Sequence, residues 1–263
     1  MSESTRLVER YDTGPMWREY GAVLDRELDR LACVSPHFDD AVLSAGQLLA
    51  GHPGSTVVTV FGARPPRYPE NVTWWDALGG FADGDDVVGA RREEEREAMA
   101  RIGAIPVRLD FADHQYGFEI APAEEIAGAL EPVLVDAEPS TVLIPLGLAN
   151  PDHRRAHHAA MRVLTRHPEW LWLAYEDRDY RFIPGMLAHR IRRLLDAGVW
   201  ATPVAVRADR STTEKVRALG AYVSQLPALR DDWPGFGERL RLPVPESFWR
   251  LHRAPEGWGV ARP

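Results

Sequence analysis

The chain has 263 residues, 45% hydrophobic and 27% charged, enough apolar surface for one large domain or two small ones. Basic residues number 31 against 39 acidic, and the net charge of -8 argues against nucleic acid or an anionic membrane as partner. A single cysteine excludes an internal disulfide, a zinc ribbon or an iron–sulfur centre built by this chain alone, while nine histidines leave an imidazole–carboxylate metal site open.

The opening M-S-E-S-T-R-L-V-E-R lacks the apolar stretch of a signal peptide. No run approaches the roughly 20 apolar residues of a membrane helix, so the expectation is a soluble, cytoplasmic protein without membrane insertion. Leu31–Ser35 has a buried-strand pattern, followed by a helix from Asp39 to about Ala50. Thr56–Phe61 reads as a second strand, and the Pro-, Gly- and Trp-rich Gly62–Asp86 as a long loop. A helix over Val87–Gly103 precedes a third strand, Val107–Phe111, and a helix over Ala123–Asp136 precedes a fourth, Thr141–Pro145. The loop Pro145–Pro151 leads to a helix over Asp152–Arg166 and then to a fifth strand, Trp170–Tyr175. Beyond Tyr180 the pattern weakens: Pro184–Leu195 and Ser211–Gln225 look helical around a short Val-Ala-Val strand, and the tail is aperiodic. This alternation implies an α/β fold, a mostly parallel sheet flanked by helices, in one domain that is less regular from about residue 181. Such sheets take ligands beyond the carboxyl ends of their strands.

Two constellations stand at strand ends. Ser35–Asp40, S-P-H-F-D-D, places one imidazole and two carboxylates directly after the first strand, where ionisable groups need partners or a metal. Asp39 could instead simply cap the next helix. Adjacent aspartates do not fit the D-x-D spacing of a phosphatase, and no G-x-G-x-x-G follows the strand to support a nucleotide-binding oxidoreductase. Asn150–His158, N-P-D-H-R-R-A-H-H, puts His153 and His157 one helical turn apart, a ligand-like spacing that lacks the glutamate of H-E-x-x-H.

S-P-H-F-D-D-A-V-L-S-A-G resembles the (A/S)-P-H-x-D-D signature of the LmbE-like, or PIG-L, family of zinc-dependent N-acetylglucosaminide deacetylases, and N-P-D-H resembles its H-x-D-H motif. Arg91 and Glu94 in A-R-R-E-E-E, F-A-D-H-Q-Y around Asp113, Y-E-D-R-D-Y from Tyr175 and Y-V-S-Q from Tyr222 agree with it. The resemblance implies a Rossmann-like sheet, Zn2+ held by His37, Asp40 and His153, and Asp39 as general base in hydrolysis of an N-acyl, typically N-acetyl, amino sugar or conjugate. His157 falls outside that ligand set, behind it or at the surface. Asn150 stands where the family carries histidine. An asparagine can donate to an oxyanion but supplies no proton, so Asp39 would act as base and then acid, with His114 a substitute donor. Arg91, Asp113, Trp74 and Trp75 are the expected substrate contacts, with Arg64 and Arg67 available to a phosphate or carboxylate; the tryptophans could equally cap the core. A sugar-binding protein without turnover, or an amidase for a non-sugar amide, is the alternative. A homo-oligomer is left open, and Cys33 is expected to be buried and unreactive.

Overall fold

The computed structural model describes residues 21–206, 212–232 and 245–253. The reading of the first ten residues, the expected helix start at Ser211 and most of the aperiodic tail lie outside them. Five strands run parallel: β1 (Leu31–Ser35), β2 (Thr56–Thr59), β3 (Ile105–Arg108), β4 (Thr141–Pro145) and β5 (Leu171–Tyr175). The sheet order is β3-β2-β1-β4-β5-β7-β6, where β6 is Val199–Val204 and β7 is Phe248–Arg253, antiparallel to both β5 and β6.

Alternation within the strands divides the core. From β1, Leu31 and Cys33 face a cluster completed by helices α1 (Asp40–Gly51) and α3 (Val87–Ile102). Ala32 and Val34 face the opposite cluster, built on α4 (Ala123–Asp136) and α5 (Pro151–Arg166). Every residue of β1 and β4 is buried, because helices cover both faces, and that is why these strands read as unbroken apolar runs. The chain moves outward from β1 through β2 to β3, then crosses back to β4 on the other side of β1. The carboxyl ends of β1 and β4 therefore flank the point where strand order reverses, the place such sheets open a crevice.

Several elements differ from the sequence reading. The expected loop 62–86 contains a short helix, α2 (Trp74–Leu78), whose N-terminus is capped by the Thr73 hydroxyl. The third strand comes earlier than Val107–Phe111, since Ile105 and Pro106 pair with Thr56 and Val57. The second strand ends at Thr59, the helix α6 is Met186–Asp196, and the short strand lies earlier, as β6, ending on the first residue of Val-Ala-Val. Ser211–Gln225 is not one helix: α7 (Thr212–Leu219) stops, and α8 (Leu226–Asp232) begins after a turn. The tail holds a strand after all. Its sequence, F-W-R-L-H-R, breaks the apolar residues with Arg250, His252 and Arg253, which hid it from a search for apolar runs. Cys33 is buried, and burial pushes its thiol up from the ordinary range. Among the described residues, no helix is long and apolar enough to cross a membrane.

Candidate metal centre and active site

The chain leaves β1 in a turn fixed by Ser35. The Ser35 hydroxyl donates to the His37 carbonyl at 2.6 Å and accepts from the Ala41 N–H at 3.0 Å, so it serves the first turn of α1. Asp39 occupies the N-cap position, yet its side chain makes no capping bond. Its buried carboxylate faces an open cavity of about 210 Å³ and is not consumed by the helix. Asp40 turns the other way, accepting the His37 N–H at 2.8 Å.

The second element is the start of α5. Asn150 accepts the Asp152 N–H at 2.7 Å and Pro151 occupies the first turn, a strong local start signal. That start carries His153 to the first constellation. His37 Nδ1 lies 3.1 Å from Asp40 Oδ2, and His153 Nε2 lies 3.2 Å from the same oxygen. His37, Asp40 and His153 thus bring two imidazole nitrogens and one carboxylate oxygen to one point. Each imidazole has a carboxylate on its far side. His37 Nε2 is 3.1 Å from Asp152, and His153 Nδ1 is 2.6 Å from Asp177. Asp177 is itself fixed by the backbone N–H groups of Gly147 and Leu148, at 2.8 and 3.0 Å. Gly147 has φ of +80°, and a Cβ there would come within 3.0 Å of the His157 side chain, so glycine is needed for this approach.

This donor set fits zinc. Nitrogen and oxygen donors converge, and a carboxylate behind each imidazole fixes its orientation and raises its basicity. The electrostatics agree. Burial alone would lower both histidines, but Asp113, Asp152 and Asp40 hold His37 well above its usual value, and Asp40 and Asp177 hold His153 at about 9. Burial opposes ionisation of Asp40, but the two imidazoles win and keep its carboxyl well below the usual range. Asp39 goes the other way, pushed up to about 7 by burial and by its neighbour Asp40, against the pull of His37 and Arg91. The surroundings therefore drive two adjacent aspartates in opposite directions, Asp40 toward the ionised form and Asp39 toward the protonated one.

A second group, His37, Asp113 and Asp152, lies beside the first and shares its imidazole. Asp113 caps the turn His114–Tyr116 through the Gln115 N–H at 2.9 Å and sits 3.8 Å from His37 Nε2. His114 Nδ1 meets Asp152 Oδ2 at 2.8 Å and is raised to about 9 by hydrogen bonds to Asp113 and Asp152.

Of the expected substrate contacts, Arg91, Asp113 and Trp75 line the cavity together with Asp39, Asp40, His37, His153 and Asn150. Arg91 is buried and paired with Asp76 at 2.7 Å. Trp74 lies outside that lining with 53% of its surface exposed, against Trp75 at a ring distance of 6.0 Å. Arg64 is exposed and paired with Asp86, and Arg67 is exposed outside the lining. His157 is neither ligand nor surface: it is buried and donates from Nδ1 to the Pro145 carbonyl at 2.8 Å. The sequence alone assigns no role to Asp152, Asp177 or Tyr180. Asp177 follows the carboxyl end of β5, so the strand-end rule that singled out His37 and His153 applies to it equally.

No curated protein matches the chain significantly. Among solved structures, a triple mutant of a deacetylase of the teicoplanin biosynthetic pathway is 25% identical, covers 87% of this chain and 100% of its own, with a TM-score of 0.71. The pseudoaglycone deacetylase of the antimicrobial reagent A40926 is 24% identical over 86% of this chain and 98% of its own, with a TM-score of 0.68. N,N'-diacetylchitobiose deacetylase from Pyrococcus horikoshii shares 18% identity over 98% of this chain and 97% of its own, at a TM-score of 0.55. The family described as PIG-L, GlcNAc-PI de-N-acetylase, matches residues 32–164. That match runs from β1 into the last turns of α5 and takes in both strand ends that build the cluster, and on it the chain belongs to the PIG-L family of de-N-acetylases.

Proposed function

We propose that the protein is a zinc-dependent hydrolase that removes an N-acyl, typically N-acetyl, group from an amino sugar or its conjugate, with Asp39 as general base. The carrying observation is the geometric divergence of Asp39 from Asp40: one buried carboxylate lies between two histidines, and its neighbour is uncapped and faces the cavity. Likeness to a deacetylase of the teicoplanin pathway supports the reaction class.

His37, Asp40 and His153 would hold the zinc. Bound there, it would supply a Lewis acid that acidifies water and polarises the amide carbonyl. Asp39 takes the proton as water oxygen bonds to the acyl carbon. The same carboxyl returns that proton to the nitrogen as the C–N bond breaks, releasing the amine and the carboxylic acid, which then loses its proton to water. Arg91, whose Nη2 is committed to Asp76, still offers a buried Nε–H with no hydrogen-bond partner among the described residues, and Trp75 offers an apolar face; together they suit a hydroxylated ring.

Purified protein is expected to carry near-stoichiometric zinc and to release acetate in a screen of free and conjugated N-acetyl sugars. Asp39→Asn should keep the metal and lose acetate release by 10²-fold or more, the usual scale for a missing general base (about 10² to 10⁴). Metal-free protein with undiminished activity would overturn the reading. A second reading, sugar binding without turnover, is favoured by one observation: Asn150 has no proton to give and its carboxamide oxygen is used as a helix cap. Sugar affinity without acetate release over long incubation would establish it.

A further inference from the structure

We propose that Arg154, Arg190 and Arg193 form a binding site for a phosphate group where α5 and α6 meet the loop after β4. None of the three lines the cavity that holds Asp39 and the metal-binding residues, so the site is separate from the one described above. Arg190, on α6, is half-buried and donates from Nε to the Leu146 carbonyl at 2.7 Å. That bond fixes its guanidinium against the loop, and Gly147 leaves it room. A Cβ at Gly147 would stand 3.2 Å from Arg190 Nη2 and 3.3 Å from the Arg154 Cα, so Arg190 and the first turn of α5 are neighbours there. Arg193 follows Arg190 by three positions and shares its face of α6. Arg154 and Arg193 are exposed.

The three cations are close and uncompensated. Burial, with Arg154 and Arg193 adding to it, lowers Arg190 to about 10 against the pull of Asp177. His158, one turn after Arg154, is held below its usual value by burial and by Arg190, Arg155 and Arg154. Other arginines of the chain come with acids: Arg64 with Asp86, Arg96 with Glu93, Arg166 with Glu124 and Glu131. Arg154, Arg190 and Arg193 are in no ion pair among the described residues, and Arg190 Nη2 is buried without a hydrogen-bond partner among them. Asp177, the carboxylate that pulls on Arg190, is committed to His153 and to the Gly147 and Leu148 N–H groups. Three gathered cations in a chain of net charge -8 are left for an anion from solution. The acidic remainder of the surface repels an extended polyanion, so the ligand is small. Several acceptor oxygens and about two negative charges match a set of guanidinium forks, which is the chemistry of phosphate.

The test uses the full chain as purified, with inorganic phosphate and phenyl phosphate as probes and chloride at matched ionic strength as control. Calorimetric titration of the wild type should show one phosphate bound, and thermal scans should show a rise in Tm beyond that in chloride. Arg154→Gln and Arg193→Gln should each weaken phosphate about fivefold or more, as expected for hydrogen bonds to a charged group. Without phosphate, either change should leave Tm unchanged or raise it, because it relieves like-charge crowding; arginines that serve only the fold would lower it. Arg190→Gln also removes the bond to Leu146, so the two exposed arginines carry the decision. Chelation followed by dialysis should leave phosphate affinity unchanged, which separates the arginines from a phosphate held by the metal centre. Equal affinity for the two probes identifies the free anion as the ligand, and a monoester bound about tenfold tighter identifies the phosphate of a larger molecule. No stabilisation beyond chloride, loss of binding on chelation, or undiminished binding when Arg154→Gln and Arg193→Gln are combined overturns the proposal.

Discussion

His153 and His157 share one face of α5, a turn apart, and the fold gives them opposite chemistry. His153 is drawn into the carboxylate cluster and held at about 9. His157 is sealed beneath the sheet end, where burial and the Arg190 guanidinium hold its imidazole well below the usual value. Its Nδ1–H satisfies the Pro145 carbonyl, while Nε2 has no partner among the described residues. Protonation there would place a charge in the core beside an arginine. In the unfolded chain the same imidazole takes up a proton near pH 6.5. The unfolded state therefore binds more protons than the folded one as pH falls below that value, and the stability His157 contributes above it is lost. In chelator-treated protein, the stability gap between wild type and His157→Asn, measured by denaturant unfolding, should narrow from pH 7.5 to 5.5 by about 1.4 kcal/mol per unit below pH 6.5. A gap independent of pH would show that His157 is not buried neutral.

At the scale of elements, α1 carries Asp40 at its first turn and has non-helical angles at Ala45, φ -136° and ψ 15°. The helix continues because two side chains from the far end of the chain repair the break. The Leu43 carbonyl accepts from Lys215 Nζ at 2.8 Å, and the N–H groups of Gln47 and Leu48 donate to the Glu246 carboxylate at 2.7 and 3.0 Å. Lys215 and Glu246 then pair with each other at 2.6 Å, with side chains only 6% and 2% exposed. The chain's one lysine is placed where its slender stem passes Gly46, whose added Cβ would meet Lys215 Cγ at 3.0 Å. Breaking such a pair strands a charge, so Lys215→Met should cost about 3–5 kcal/mol in unfolding free energy. Lys215→Met with Glu246→Gln should cost less than the lysine change alone, and additive losses would refute the coupling. None of this was legible in the sequence. A helix from Asp39 to about Ala50 could be read from apolar spacing, but a break repaired by residues about 170 to 200 positions away leaves no local signal. Asp177 was hidden for a related reason: its role depends on β5 lying beside β4.

The whole molecule explains why the central part of the site could be read and its rim could not. Parallel strands covered on both faces must be continuous apolar runs, so β1, β4 and β5 announced themselves, and the polar residues that follow them were the residues to test. The antiparallel β7 mixes basic with apolar residues in no regular period and comes from far along the chain, so the final sheet order was not recoverable from periodicity. The assembled topology concentrates charge: Asp39, Asp40, Asp152 and Asp177 are all buried around His37 and His153 at the reversal of strand order. Protons on the two imidazoles offset part of that charge, and a divalent cation among the same atoms would offset it more fully. Zinc binding should therefore stabilise the fold as a whole. At free zinc about a hundredfold above the dissociation constant, linkage gives about 2.7 kcal/mol. For a chain of this size that corresponds to a fall in Tm of about 5–10 °C on chelation. The source of the shift is separable by mutation. Asp39→Asn leaves His37, Asp40 and His153 in place and should retain the zinc-dependent shift, whereas Asp40→Asn removes the carboxylate that both imidazoles face and should abolish most of it. Calorimetric scans with and without chelator decide the matter: a shift that survives in Asp40→Asn would place the cation elsewhere in the fold, and no shift in wild type would mean that this charge cluster holds none.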